Sequence, residues 1–254
     1  MYVYAVTNQK GGTGKSTTAG ALLNGFTARG LKTLAIELDA QGDLAYSLNA
    51  ESSKKTALSL LTGEAEAEEV ITHTENGDII PSSELLAGAD AFIIGAHKEY
   101  RLKEALEPLK DKYDYVIIDT PPALGILTVN ALTACNSVII PAQAEIFSLK
   151  GVRQLAKTID TIRKHSNPEL AIAGLLLTRY NAQTVLSKEV NGLMQTLAEQ
   201  LGTKVFKAAI REAICIKEAQ ISQKSLFEYA PRAKATQDYK QFIEEILQDR
   251  EGKQ

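Results

Sequence analysis

Short apolar runs alternate with stretches of helical periodicity along the whole chain. The first run, Tyr2–Thr7 (YVYAVT), is followed by a helical pattern from about Lys15 to Arg29 that Gly30 ends. Further apolar runs cover Lys32–Asp39 (KTLAIELD), Tyr113–Pro122 (YDYVIIDTPP), Asn136–Gln143 (NSVIIPAQ) and Leu170–Tyr180 (LAIAGLLLTRY), with a weaker one at Thr203–Ile210. Val/Ile/Leu-rich strands separated by helices predict a mostly parallel, twisted sheet buried on both faces by helices. The expectation is a single α/β domain over residues 1–254, with no boundary inside it. Glu51 to about Glu75 is polar and acidic and reads as a surface helix and loop. From Pro231 to about Asp249, Tyr239, Phe242, Ile243, Ile246 and Leu247 recur at helical spacing, which predicts an amphipathic helix closing on the sheet.

Composition narrows the picture. A chain of 254 residues that is 44% hydrophobic can bury a sizeable core. With a net charge of −3, any nucleic-acid binding must use a local patch. Cys135 and Cys215 are far apart, with no CxxC pair, so they read as core thiols in a reducing compartment, without structural zinc. His73, His97 and His165 have no partner spacing. The start MYVYAVTNQ is too short and too uncharged for a signal peptide, and no apolar run is long enough to span a membrane. A soluble cytoplasmic protein is the expectation.

Candidate chemistry begins at NQKGGTGKSTT, Asn8–Thr18. The common phosphate-loop pattern needs glycine at position 9, where Gln9 stands; the variant Lys10-Gly11-Gly12-Thr13-Gly14-Lys15-Ser16 replaces it. The loop follows a strand and opens a helix. Its glycines let backbone N–H groups turn inward, and the helix N-terminus adds a positive dipole end. Lys15 is placed to reach the outer phosphates of a nucleotide and Ser16 to ligate Mg²⁺. Asp119, ending a strand, reads as a second Mg²⁺-holding group, directly or through water. Asp39, ending another, reads as a group that positions either the attacking water or a Mg²⁺-bound water.

These motifs resemble the deviant Walker A ATPases of the ParA/MinD group. The similarity extends through ELDAQGD, YDYVIIDTPPALGILTVNAL, SVIIPAQAEIFSLKGV, LLLTRYN and LFEYAPRAKATQDYKQF, essentially the whole chain. It is nearest to the short ParA/Soj partitioning proteins, which lack the N-terminal DNA-binding domain of longer ParA proteins. The resemblance implies a P-loop NTPase using ATP and Mg²⁺, with slow intrinsic turnover. It makes Lys10 the signature lysine, which in a nucleotide-sandwich homodimer crosses to the partner's phosphates. It places Gly11, Gly12, Thr13, Gly14, Lys15, Ser16 and Thr17 at the phosphates and Mg²⁺, Asp39 in hydrolysis and Asp119–Pro122 as the γ-phosphate switch. Thr178, Arg179, Tyr180, Ile210 and Arg211 fall near the adenine. It also implies a ParB-like activator, non-specific nucleoid DNA as a partner, and no membrane anchor.

The chain departs from the group in several places. Glu37 and Ala40 replace an aspartate and a proline, and Arg211, Gln220 and Ser225 replace prolines. Gln183 and Cys215 align with arginines that bind DNA, and Lys207, Arg211, Lys217, Lys224, Arg232 and Lys234 offer a relocated basic patch or an ordinary charged surface. A membrane-surface positioning ATPase like MinD and a cargo-positioning ATPase of the same group are the alternatives. The polar tail EEILQDREGKQ speaks against the first. An iron-cluster reductase lacks its pair of cysteines.

Overall fold

Each Val/Ile-rich run is a strand, trimmed where turn residues take over. The structure, a computed structural model, describes residues 1–50, 55–181 and 185–252, without the side chains of residues 146 and 185–188. The order is β1 (Tyr2–Val6), α1 (Lys15–Thr27), β2 (Thr33–Glu37), α2 (Asp43–Ser47), α3 (Ala57–Thr62), α4 (Ala67–Val70), β3 (Thr72–Thr74), β4 (Gly77–Ile80), α5 (Ala89–Phe92), α6 (Arg101–Leu106), β5 (Tyr115–Asp119), α7 (Ile126–Ala134), β6 (Ser137–Gln143), α8 (Ile146–His165), β7 (Ala171–Thr178), α9 (Val185–Gln200), β8 (Val205–Ile210), α10 (Ile214–Ile221), α11 (Leu226–Tyr229) and α12 (Lys234–Glu251).

Among the described residues the strands form one sheet in the order β3-β4-β2-β5-β1-β6-β7-β8. Every pairing is parallel except β3 with β4. Because successive side chains of a strand point to opposite faces, β1 sends Val3 and Ala5 into one core and Tyr4 and Val6 into the other. The first core is covered by α6, α7, α8 and α9 among others, the second by α1, α11 and α12. The expected α/β architecture, with helices on both faces, is present.

Two expectations change. The antiparallel edge pair β3–β4 has no counterpart in the pattern of apolar runs, because its residues THT and GDII carry few apolar side chains. The acidic stretch is not merely surface: α3 and α4 bury Ala57, Leu60, Leu61, Ala67 and Val70, and residues 51–54 lie outside the described residues. Their spacing of three and four residues is a core-facing stripe hidden among glutamates.

The closing helix packs as its periodicity requires. Tyr239, Phe242, Ile243 and Ile246 are all buried, and Phe206 meets Phe242 edge to face at 5.0 Å between centroids. Each such side chain stabilises the fold by about 1.5–3 kcal/mol through burial. Replacing Phe242 with Ala removes a fully buried ring and leaves a cavity between α12 and β8; the expected loss is about 3–5 kcal/mol, read as a lower urea midpoint.

Candidate functional site

The carboxyl ends of the central strands converge on one cavity of about 270 Å³. Its floor is the turn from β1 into α1. Gly12 (φ +71°) and Gly14 (φ +86°) adopt the left-handed conformation, which glycine enters without steric cost. No atom stands within 4 Å of a Cβ built at Gly12, so the demand for glycine there is conformational. The loop's carbonyls are drawn toward the sheet. Gln143 Nε2 donates to the Gly12 carbonyl at 2.9 Å, and the Thr178 hydroxyl donates to that of Thr13 at 2.8 Å. Asn8 anchors the approach: its Nδ2 donates to the Pro141 carbonyl at 2.6 Å, and its Oδ1 accepts from Lys10 N at 3.1 Å. With the carbonyls engaged, the amides are left for the cavity. Gly14, which caps α1, supplies no side-chain acceptor, and the first turn holds no acidic residue. An uncapped helix start with an unopposed dipole is an anion site, and the buried side chain of Lys15 lines the same space.

Sheet register brings two buried carboxylates together at the strand ends. Asp119 pairs with Val6 on one side and Glu37 on the other. Glu37 is buried and satisfied: Leu44 N donates to it at 2.6 Å and the Ser82 hydroxyl at 2.9 Å. Asp119 is fully buried, and among the described residues neither carboxylate oxygen has a hydrogen-bond partner. Burial pushes its carboxyl well above the usual carboxylate range. The Ser16 hydroxyl favours the ionised form without completing a hydrogen bond, Lys15 favours it also, and Glu37 and Asp39 oppose it. Burial likewise raises Glu37. Asp39 is half-buried on the cavity wall, with Gln41 N donating to its Oδ1 at 3.2 Å.

An unpartnered buried carboxylate beside a serine hydroxyl suits a divalent cation. Among the described residues no cluster of three or more His, Cys, Asp or Glu forms a metal site. Ser16 and Asp119 would therefore need water and a ligand's phosphate oxygens to complete the coordination.

Of the residues singled out from the sequence for the nucleotide, Gly11–Thr17, Asp39, Pro122, Thr178, Arg179, Ile210 and Arg211 line the cavity, whereas Asp119 and Tyr180 do not. Arg179 does so from a left-handed backbone (φ +49°). Lys10 does not line it; its ammonium donates to Gln143 Oε1 at 3.1 Å and forms an ion pair with Glu145. Gln183 lies outside the described residues, and Cys215 is half-buried on α10. Sequence reasoning assigns no role to Gln143, Glu145, Gln220 or Asp238. Gln220 Nε2 donates to the Thr17 hydroxyl at 3.2 Å, and Asp238 holds Arg211. All lie far from their partners in sequence, so no local spacing marks them.

The raised carboxyl gives a pH test on the ligand-free protein. A native pKa above the ordinary 3.8 means that the folded state holds the proton longer than the unfolded chain. Asp119 then contributes stability that is present at low pH and lost as pH rises from about 4 toward about 8. Asp119→Asn is expected to raise the unfolding free energy at pH 8 by on the order of 2 kcal/mol and to change it little at pH 4. Urea melts at the two pH values check this.

The comparisons agree with this geometry. Residues 1–172 match the family model described as "AAA domain". The sporulation initiation inhibitor protein Soj of Bacillus subtilis is 37% identical over 96% of this chain and 97% of its own. The chromosome partitioning protein ParA of Caulobacter vibrioides is 36% identical over 100% and 97%. A solved structure described as cobyrinic acid a,c-diamide synthase from Mycobacterium smegmatis, with a bound ATP analogue and magnesium, superposes with a TM-score of 0.86 at 32% identity, covering 100% of this chain and 97% of that one. The chain belongs to the AAA domain family and, within it, to the ParA/MinD group of deviant Walker A P-loop ATPases, on the side of the ParA/Soj proteins.

Proposed function

We propose that this protein is a partitioning ATPase that closes into a homodimer on MgATP, binds nucleoid DNA without sequence preference, and is released when a ParB-like partner stimulates hydrolysis. The observation that carries the reading is the divergence of the two lysines. Lys15 is buried in its own chain's cavity, whereas Lys10 stands outside it, held at the rim by Gln143 and Glu145. A charge there serves a second subunit's phosphates better than its own.

In the proposed reaction the loop amides and Lys15 bind the phosphates. Ser16 and Asp119 would hold a Mg²⁺ ion, which would neutralise phosphate charge. Asp39 orients water for attack at the γ-phosphorus; the bond to the β–γ bridging oxygen breaks and ADP leaves with phosphate. Both carboxylate oxygens of Glu37 are engaged, by backbone N–H groups of α2 and by Ser82, so it is held in a structural role. Slow intrinsic turnover follows, with Lys10 adding charge where it develops in the transition state.

The track is argued from the basic surface near α10. Arg211 is tied to Asp238 and Lys224 to Glu228, while Lys217 lines the cavity. Lys207, Arg232 and Lys234 are exposed without an ion pair among the described residues, and these are the DNA contacts proposed. A membrane-surface role is disfavoured because α12 spends its apolar residues on the core. No helix among the described residues is long and apolar enough to cross a membrane. Cytoplasmic, nucleoid-associated localisation is part of the proposal. A cargo-positioning ATPase would use the same chemistry and the same track.

Nucleotide binding, dimerisation and DNA mobility shifts test it. Lys15→Ala is expected to weaken MgATP binding at least about 100-fold. Lys10→Ala is expected to keep near-normal monomer binding yet show no ATP-dependent dimer by light scattering; a variant that still dimerises and keeps full stimulated turnover sinks the sandwich reading. In mobility shifts on random duplex DNA, a complex is expected with ATP and not ADP, weakening steeply with salt. Absence of any shift at low salt removes DNA as the track.

A further inference from the structure

Gln143 ends β6, is only 7% exposed, and does not line the cavity. Its one amide nevertheless reaches two points of the phosphate loop. Nε2 donates to the Gly12 carbonyl at 2.9 Å, and Oε1 accepts from the Lys10 ammonium at 3.1 Å. This orientation is forced, because a carbonyl can only accept and an ammonium can only donate. The neighbouring strand repeats the first contact. Gln143 pairs in register with Thr178, whose hydroxyl donates to the Thr13 carbonyl at 2.8 Å. The turn after Gln143 supplies a second hold on Lys10: Glu145 N donates to the Gln143 carbonyl at 2.8 Å, and the Glu145 carboxylate meets the same ammonium. The backbone of Lys10 is pinned as well, its N–H by Asn8 Oδ1 at 3.1 Å and its carbonyl by the Thr13 hydroxyl at 3.3 Å. The Lys10 side chain thus leaves a fixed loop in a fixed direction, toward the end of β6 and outside its own chain's cavity.

We propose that Gln143 is the positioning residue that sets the two lysines to separate tasks. Through Gly12 it keeps the loop amides turned to the ligand beside Lys15. Through Lys10 it keeps the second ammonium presented to a partner subunit and off its own chain's phosphates. That role rests on the reading of the cavity as a nucleotide site shared by two subunits. Lys10 and Lys15 stand on one glycine-rich turn. A lysine left unheld samples many rotamers, and freezing it on association costs affinity. A Lys10 free to fold back onto its own nucleotide would also neutralise phosphate charge without a second subunit. A hydrogen bond to Oε1, made before association, removes both losses. Gln143 touches no ligand and acts through Gly12 and Lys10. Its two arms use different atoms of one amide, so substitution can separate them: Gln143→Ala loses both, whereas Gln143→Glu keeps an acceptor for Lys10 and loses the donor to Gly12.

The experiment measures two quantities on the full chain and on Gln143→Ala and Gln143→Glu. The first is the binding of MgATP and of magnesium tripolyphosphate at protein concentrations where the chain is monomeric. The second is the dimer dissociation constant at saturating MgATP, by analytical ultracentrifugation. Gln143→Ala is expected to weaken both ligands about tenfold and the saturated dimer about tenfold. Gln143→Glu is expected to weaken the ligands at least as much, yet to leave the saturated dimer within about threefold of the unaltered protein. In Lys10→Ala protein, adding Gln143→Ala is expected to weaken tripolyphosphate about tenfold again, because the Gly12 arm does not need the ammonium. A purely structural role lowers the melting temperature and moves ligands and dimer together in both variants; that result overturns the proposal. So does a saturated dimer that is unchanged or tighter in Gln143→Ala, which would make the amide a restraint on Lys10 rather than a guide. Unaltered protein that binds MgATP without dimerising refutes the Lys10 arm together with the sandwich reading. Unaltered protein that binds neither ligand refutes the nucleotide reading itself.

Discussion

The site depends on a helix that begins without a cap. Helix α1 opens on Gly14, which brings no side-chain acceptor, and its first turn carries no acidic residue. Among the described residues its leading N–H groups receive no side-chain cap, a deficit that most helices meet with serine, threonine or aspartate. Here the surroundings sharpen it. Gln143 and Thr178 engage the carbonyls of the loop, and Lys15 adds a buried positive charge. Parallel strands make this possible, because their carboxyl ends all reach the same edge and deliver Asp39, Asp119, Gln143, Thr178 and Ile210 around one turn.

The carboxylates are the counterweight. Two buried acids face each other across adjacent strands, and only Glu37 is hydrogen-bonded. Leaving Asp119 bare costs stability that an ordinary core position would not. The cost is local and useful: a group whose ionised form is poorly satisfied in the empty protein has most to gain from a cation. Stability is traded for readiness at one residue, and the large cores on both faces of the sheet carry the difference.

How much of this is legible in the sequence follows from how contiguous each feature is. Gly12, Gly14, Lys15 and Ser16 sit in one short run whose residue types have a direct physical meaning, so the cradle can be read from the order of residues alone. The central strands are readable because they are buried on both faces. The β3–β4 pair is not, since an edge pair needs little apolar character. Nor are the bonds of Gln143 to Gly12 or of Asp238 to Arg211, which exist only because the sheet places distant segments side by side. The acidic stretch misleads because glutamates dominate its composition while its leucines and alanines do the packing.

Helix α12 has one more implication. It supplies core side chains, Tyr239 in the cavity wall and Asp238 as the anchor of Arg211. During synthesis the phosphate loop leaves the ribosome more than two hundred residues before Asp238 does. A growing chain thus carries the loop residues throughout most of its elongation, while Gln143, Thr178 and the wall opposite are added later. The cavity is therefore complete only once the last helix has packed against the sheet.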